Sequence, residues 1–133
     1  MNALPVLRSA RVYAQAGAIA LLSTSGRGRE HFVRAGEALE RVWLTATRLD
    51  IAVQPMAGIT LLVLRLLLGA GEGLSSAQRR RLEVLHGRLR GLFPVLSSDT
   101  PILLLRLGRA APPSARTPRL PLGELLIIEG GGR

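Results

Sequence analysis

The sequence predicts an α+β fold in a single domain, and three observations lead to this class. Short apolar runs that end in Gly, Ser or Pro are typical of buried strands. Between them lie longer segments in which apolar residues recur at three- and four-residue spacing, which is typical of amphipathic helices. The length of 133 residues is enough for one domain with its own core, which we take to span residues 1–133.

The first half of the chain predicts a strand, a long helix and a second short strand. The apolar run at residues 18–23 predicts a strand that is buried on both faces. Residues 30–49 have a single apolar stripe and predict the longest helix. The segment at residues 51–55 predicts a short strand, because Pro55 disfavours helix at the residue before it and Val53 is β-branched.

The apolar run that starts at Ile59 predicts a helix that is buried or covered by a partner. It is about a dozen residues long and contains Arg65, whereas a helix that spans a membrane needs ~20 apolar residues. We therefore expect no contact with a membrane. The N-terminal segment has no apolar core of signal-peptide length, so we expect a cytoplasmic location.

The second half of the chain begins with a glycine-rich break at residues 69–73. Ser75 and Gln78 then have the spacing of a capping box, which predicts the start of another helix. Its apolar stripe consists of Leu82, Leu85, Leu89 and Leu92. The segments that follow predict an apolar strand, a proline-rich arm, and a closing strand or short helix, at residues 101–108, 109–121 and 122–133.

Composition excludes several kinds of chemistry. The absence of cysteine removes disulfides, thiolate metal sites and a cysteine nucleophile. The formal net charge is +9, from 18 arginines and no lysine. A surface that binds nucleic acid usually carries lysine as well as arginine, together with stacking aromatic residues. We therefore do not expect nucleic acid as a partner, and it remains a third alternative that depends on the arginines between residues 79 and 90.

No arrangement of residues predicts a metal site or a catalytic triad. His31 and His86 have no second ligand at metal spacing, so we interpret both as surface residues of helices. Residues 26–32, GRGREHF, could present backbone N–H groups to a phosphate, but an ordinary loop between strand and helix is the preferred interpretation. The arm is different, because Arg116 and Arg119 lie between prolines that restrict the backbone. Two guanidinium groups held in this way suit a phosphate monoester, although two surface arginines explain the pattern equally well.

Two segments of the chain resemble a known family. They are RAGEALERVWLTATRLDIAVQPM at residues 34–56 and LLLRLGRAAPPSARTPRLPLGELL at residues 103–126. Both resemble the C-terminal half of the FMN-dependent nitroreductase superfamily, especially its stress-associated branch. The resemblance implies a mixed β-sheet with a long central amphipathic helix and flanking helices. It also implies a homodimeric flavoprotein, an oxidoreductase with FMN in clefts at the subunit interface, which uses NAD(P)H and a small oxidised substrate.

The resemblance also implies a cofactor site. Pro55, Met56, Ala57 and Gly58 match the turn whose backbone lies against the isoalloxazine ring of the flavin. Arg119, assisted by Arg116, matches the basic position that pairs with the FMN phosphate. A turn with few side chains lets the main chain approach a flat ring closely. Since the flavin would carry the hydride chemistry, no catalytic side chain is expected.

Two departures from the family lead to alternatives. Residues 1–16 lack the arginine- and serine-containing motif that holds the phosphate in the family, so the expected fold is partial. Asp50 stands where the family has a glycine at the helix C-cap. We therefore expect a homodimer or a complementing chain, and the protein could be a truncated or degenerate fragment of a nitroreductase. The alternative function is a non-catalytic dimerisation or partner-binding module of the same fold without flavin.

Overall fold

The computed structural model describes residues 13–111 and 120–125 of the chain. Its strands are β1 (Ala18–Thr24), β2 (Ala52–Met56) and β3 (Thr100–Gly108). Its helices are α1 (Arg29–Arg48), α2 (Ala57–Leu68), α3 (Ser76–Leu92) and the single turn α4 (Leu122–Leu125), with a 3-10 turn at Pro94–Ser97. Helices combined with a sheet confirm the predicted α+β class. Residues 1–12, residues 112–119 of the predicted arm, and residues 126–133 lie outside the described residues.

The three strands form a sheet in the order β1–β3–β2. Both pairs are antiparallel, so the prediction of a mixed sheet is wrong for the described part of the chain. The reason is that β1 and β2, which α1 connects, leave a gap one strand wide between them, and β3 fills it in the opposite direction. Such an arrangement is a split β-α-β unit.

The central strand β3 is covered on both faces along its middle. Leu104 and Leu105 point to opposite faces of the sheet and are only 5% and 3% exposed. Helix α1 shares a groove with Leu107, which places α1 on the face that carries Leu105 and Leu107. Helix α2 makes the most extensive helix contact with β3 and therefore covers the face of Leu104.

The first strand is less buried than its sequence predicts. Strand β1 lies at one edge of the described sheet, and none of its residues is fully buried. Its second residue, Ile19, is exposed. The prediction of burial on both faces is therefore wrong for β1. The uninterrupted apolar run has the composition of a central strand, but only β3 has that position in the sheet.

Helix α1 rests on the sheet through small residues. Its buried side chains are Ala35 and Ala46, which lie on the same face of the helix. Val33 and Leu44, which are 63% and 64% exposed, lie on the face that points away from these alanines. Trp43 is also exposed and flanks the buried face. The helix thus has apolar surface that the described part of the chain does not cover.

Helix α2 follows β2 without an intervening loop, since β2 ends at Met56 and α2 begins at Ala57. One face of α2 is buried through Thr60 and Val63. The Thr60 hydroxyl donates to the carbonyl oxygen of Ala57 at 3.0 Å, which satisfies its polar atom within the helix. Leu61 on the other face is exposed. None of the helices in the described ranges is long and apolar enough to cross a membrane.

The start of α3 confirms the predicted capping box. The Gln78 backbone N–H donates to the Ser75 hydroxyl at 3.3 Å, and the Ser75 N–H donates to the Gln78 side-chain carbonyl at 2.8 Å. The predicted leucine stripe is buried only in part. Leu82 is buried, whereas Leu85 and Leu92 are exposed, because α2 contacts one narrow face of α3.

In the described part of the chain, two residues other than glycine have a left-handed backbone. Asp50, at the end of α1, has a φ of 52°, and Ala70, in the loop before α3, has a φ of 48°. The glycine that the family resemblance implies at position 50 would therefore suit the observed conformation. Alanine has no polar side chain to compensate for this conformation, so Ala70 is the more strained of the two.

We expect the substitution Ala70→Gly to raise the free energy of unfolding by roughly 0.5–1 kcal/mol, because losing the Cβ relieves more strain than glycine costs in backbone entropy. The reverse change at Gly73, whose φ is 71°, serves as the control, and Gly73→Ala should lower stability. Urea unfolding measures both. Loss of stability in Ala70→Gly would contradict the left-handed assignment at this position.

Candidate functional site

The junction between β2 and α2 lies partly at the surface. Pro55 and Gly58 are exposed, and Met56 and Ala57 are half-buried. Gly58 is the second residue of α2, and a Cβ built at this position would meet no other atom within 4 Å. The four residues of the predicted turn form a strand-to-helix junction instead, with Pro55 and Met56 at the end of β2 and Ala57 and Gly58 at the start of α2. Their contact with a flavin stays a prediction.

A cleft of about 340 Å³ lies beside this junction, at the end of the sheet where β3 finishes. Its walls come from β2, β3 and the segment before β1. The lining residues that matter for its chemistry are Gly17, Ala52, Gln54, Arg106, Gly108 and Arg109. The cleft is large enough for a small organic molecule. Residues 55–58 of the predicted turn are not among the residues that line it.

The chemistry of the cleft comes from a cross-strand pair. Gln54 and Arg106 are directly opposite each other in the β2–β3 ladder. A terminal N–H of the Arg106 guanidinium donates to the Gln54 side-chain carbonyl at 3.0 Å. Arg109 adds a second, exposed guanidinium just after β3. Within residues 13–111 and 120–125, no carboxylate lies within 4.0 Å of either arginine.

The predicted phosphate residues Arg116 and Arg119 lie outside the described residues, so their relation to the cleft stays a prediction. Arg106, Arg109 and Gln54 were not predicted as site residues. A signal for Arg106 was present in the sequence, because a charged side chain interrupts the apolar run of residues 101–108. That run was interpreted only as a buried strand.

The residues around Thr24 lie close together but do not form a hydrolase triad. The Ser23 hydroxyl donates to a carboxylate oxygen of Asp99 at 2.9 Å, so no histidine is placed to activate it. The Thr24 hydroxyl and the Nδ1 atom of His31 are 3.4 Å apart, and the Nε2 atom of His31 is 3.4 Å from the Glu30 carboxylate. Both distances are longer than an activated nucleophile requires. No group of three metal-ligating side chains occurs in the described ranges.

The glycine-rich loop before α1 carries its own negative charge. Gly28 is the N-cap of α1 and has no side-chain cap, and Glu30 lies in the first turn. A carboxylate at a helix N-terminus interacts favourably with the helix dipole and repels a phosphate. Arg27 and Arg29 lie in the same segment, so its charge does not decide between a loop and a phosphate site, and the ordinary loop stays a prediction.

The arginines of α3 point in different directions, as their spacing predicts. Arg79 donates to the carbonyl oxygen of Gly71 at 3.5 Å and stays near the preceding loop. Arg80, Arg81 and Arg88 instead line an open groove of about 520 Å³ along the outer face of the helix. Val84 in the same groove is exposed. Nothing in this groove supplies the stacking aromatic residues that a nucleic-acid surface needs.

His86 is the one titratable group with a shifted pKa in the described part of the chain. Burial lowers the pKa of His86 below its ordinary value of 6.5, and the nearby charge of Arg90 lowers it further. Its Nε2 atom is buried and has no hydrogen-bond partner among the described residues. The position favours the neutral ring, and His86 is half-buried on its helix rather than fully exposed.

Comparisons with protein-family models, with curated proteins and with solved structures gave no match to this chain. The interpretation of the site therefore depends on its geometry and on the two segments that resemble the nitroreductase superfamily.

We expect acid to destabilise the protein through His86. The folded state binds the second proton of the His86 ring more weakly than the unfolded chain does. The stability that depends on a neutral His86 is therefore complete above about pH 6.5 and is lost as the pH falls below that value. His86→Leu, which removes both the charge and the buried polar atom, should reduce this loss. Arg90→Gln removes only the nearby charge, which is the smaller cause of the lowered pKa, and should reduce the acid loss of stability less. Urea unfolding between about pH 8 and about pH 5 measures the effect, and an unchanged acid loss in His86→Leu would refute it.

Proposed function

We propose that this chain is an FMN-dependent nitroreductase-like oxidoreductase or a degenerate relative of one. The observation that carries the proposal is that the two segments resembling the superfamily are neighbours in the fold. The first ends in β2 and the second begins in β3. Strand β2 pairs with β3 along its full length, from Ala52 opposite Gly108 to Met56 opposite Leu104.

The β2–α2 junction, which lies partly at the surface, supports the placement of a flat cofactor. Pro55 and Gly58 are exposed, and the open space at Gly58 extends at least 4 Å from its missing Cβ. The isoalloxazine ring would lie against residues 55–58. When bound, FMN would supply hydride transfer between NAD(P)H and a small oxidised substrate. The chain itself would position the ring and keep side chains away from its face.

The visible spectrum of the purified protein tests the proposal directly. Flavin absorption bands, or their appearance when FMN is titrated into the protein, would support it. A protein without these bands that also fails to bind added FMN would exclude the flavin enzyme. Consumption of NADPH or NADH with a nitroaromatic acceptor then tests the activity.

Blocking the open space at Gly58 should prevent flavin binding without disturbing the fold. We expect Gly58→Leu to weaken FMN binding at least ~10-fold, because the new side chain occupies the space assigned to the ring. Gly87→Leu is the matched control, since Gly87 is also a helical glycine with no atom within 4 Å of its Cβ position. Fluorescence titration of FMN measures both affinities. Equal affinities in the two variants would place the ring elsewhere.

The apolar outer face of α1 favours a second candidate, a dimerisation or partner-binding module that has no flavin. Val33, Trp43 and Leu44 are exposed on this helix. An apolar groove of about 340 Å³ also runs along α1 beside Leu49 and Leu107. Exposed apolar surface of this kind is typical of protein–protein contacts. This candidate needs no cofactor, so it gains support if FMN does not bind.

We expect Leu44→Arg to prevent self-association, because it places a charge in the centre of the exposed apolar face. Val84→Arg on α3 is the control, since Val84 is also exposed but lies among arginines. Sedimentation velocity should show an associated wild type, an associated Val84→Arg variant and a monomeric Leu44→Arg variant. A monomeric wild type, or a Leu44→Arg variant that still associates, would exclude α1 as the interface.

A further inference from the structure

The open end of the sheet has a floor of small residues. Gly108 lies opposite Ala52 in the β2–β3 ladder. On its other side, the Gly17 N–H donates to the carbonyl oxygen of Leu107 at 3.0 Å, and a Cβ at Gly17 would lie 3.5 Å from the Gly108 Cα. The row formed by Gly17, Gly108 and Ala52 therefore has almost no side-chain volume. A flat group could lie directly on the backbone there.

Two residues earlier along β3 lies the next row with side chains on the same face of the sheet, and it is polar on one side. It consists of Ile19, Arg106 and Gln54, which are paired directly across the three strands. The Gln54 side chain accepts one N–H of the Arg106 guanidinium. Arginine has five N–H donors in a fixed fork, so the group retains donors for a ligand while Gln54 holds its orientation.

The charged side chains that line the cleft are both positive. Arg106 and Arg109 both line it, and no carboxylate of the described residues lies within 4.0 Å of them. Ala52, Val53 and Leu107 give the rest of the lining an apolar character. The accessible part thus combines a flat floor with two cationic donors at its edge, which is complementary to a flat molecule that carries an oxyanion.

We propose that this cleft binds the phosphate group of a small flat phosphate monoester, with Arg106 and Arg109 on the phosphate and the flat body over Gly17, Ala52 and Gly108. The phosphate could belong to the flavin or to a separate metabolite, and the inference holds for either source. It assigns an anion site to residues that the family resemblance does not select, since the resemblance assigns the FMN phosphate to Arg116 and Arg119.

A cross-strand pair that only stabilises the sheet is the simpler explanation of Gln54 and Arg106. Such pairs contribute about 0.2–1 kcal/mol to a sheet without any ligand. This explanation predicts that Arg106→Gln changes stability and leaves ligand binding unaffected. It also assigns no role to Arg109, which is exposed and has no partner in the ladder. Binding by the Arg109→Gln variant, which leaves the sheet intact, therefore separates the two explanations.

The experiment is a titration of the full chain with phenyl phosphate, followed by chemical shifts of backbone amides. We expect saturable shifts at Gly17, Ala52 and Gly108 in the wild type. Arg106→Gln and Arg109→Gln should each weaken the affinity ~10-fold, the effect of losing one charge-assisted hydrogen bond. Arg80→Gln on α3 is the matched control and should bind as the wild type does. No shifts in the cleft, or equal affinities in all variants, would overturn the proposal.

Three further arms identify the ligand and separate this inference from the flavin proposal. Benzoate that binds as tightly as phenyl phosphate would overturn the preference for phosphate. Ala52→Leu, which fills the floor, should weaken phenyl phosphate but not inorganic phosphate, and equal loss of both would overturn the role of the floor. If FMN binds more tightly than riboflavin, and if Arg109→Gln removes this difference, the phosphate group bound in the cleft belongs to the flavin. If the protein binds phenyl phosphate but not FMN, the anion site is supported and the flavin enzyme is excluded.

Discussion

The pairing of β3 with strands on both sides is the constraint on which the described structure depends. Among the described strands, only β3 has several buried residues, namely Thr100, Pro101, Leu104 and Leu105. β1 and β2 each pair with β3 and not with each other, and α2 makes its most extensive contact with β3. Hydrogen bonds of a central strand are shielded from water on both sides, so its register is strongly specified. The positions of the helices and of both candidate sites follow from that register.

The same register couples the core of the fold to the cleft. Successive side chains of β3 alternate between the two faces, so the burial of Leu104 by α2 places Arg106 on the same face, two residues beyond the cover. A shift of one residue would move Arg106 to the face of α1 and exchange the faces of Leu104 and Leu105. The apolar residues of β3 therefore hold the guanidinium opposite Gln54, and no separate device is needed to position it.

Local sequence patterns predicted the elements well and their surroundings poorly. The capping box at Ser75 and the strand–helix boundaries depend on neighbouring residues, which the sequence shows directly. Burial depends on which segments meet, so an apolar run such as β1 could not reveal that it lies at the edge of the described sheet. Leu92, in a regular apolar stripe, is exposed for the same reason. The turn predicted at residues 55–58 is wrong, because β2 ends at Met56 and α2 begins at Ala57 with no turn between them. The pairing of Arg106 with Gln54 depends on the register of strands that are distant in sequence.

The outer side of α1 and the cleft at Arg106 are suited to different kinds of partner, so the candidate functions do not exclude each other. Helix α1 covers the face of Leu105 and Leu107 and exposes Leu44 on its outer side, where a protein partner would bury it. The cleft lies at the end of the sheet, where Arg106 from one face and Leu107 from the other both line it. Leu44 does not line the cleft. A partner that buries Leu44 and a ligand with a phosphate group would therefore contact different residues.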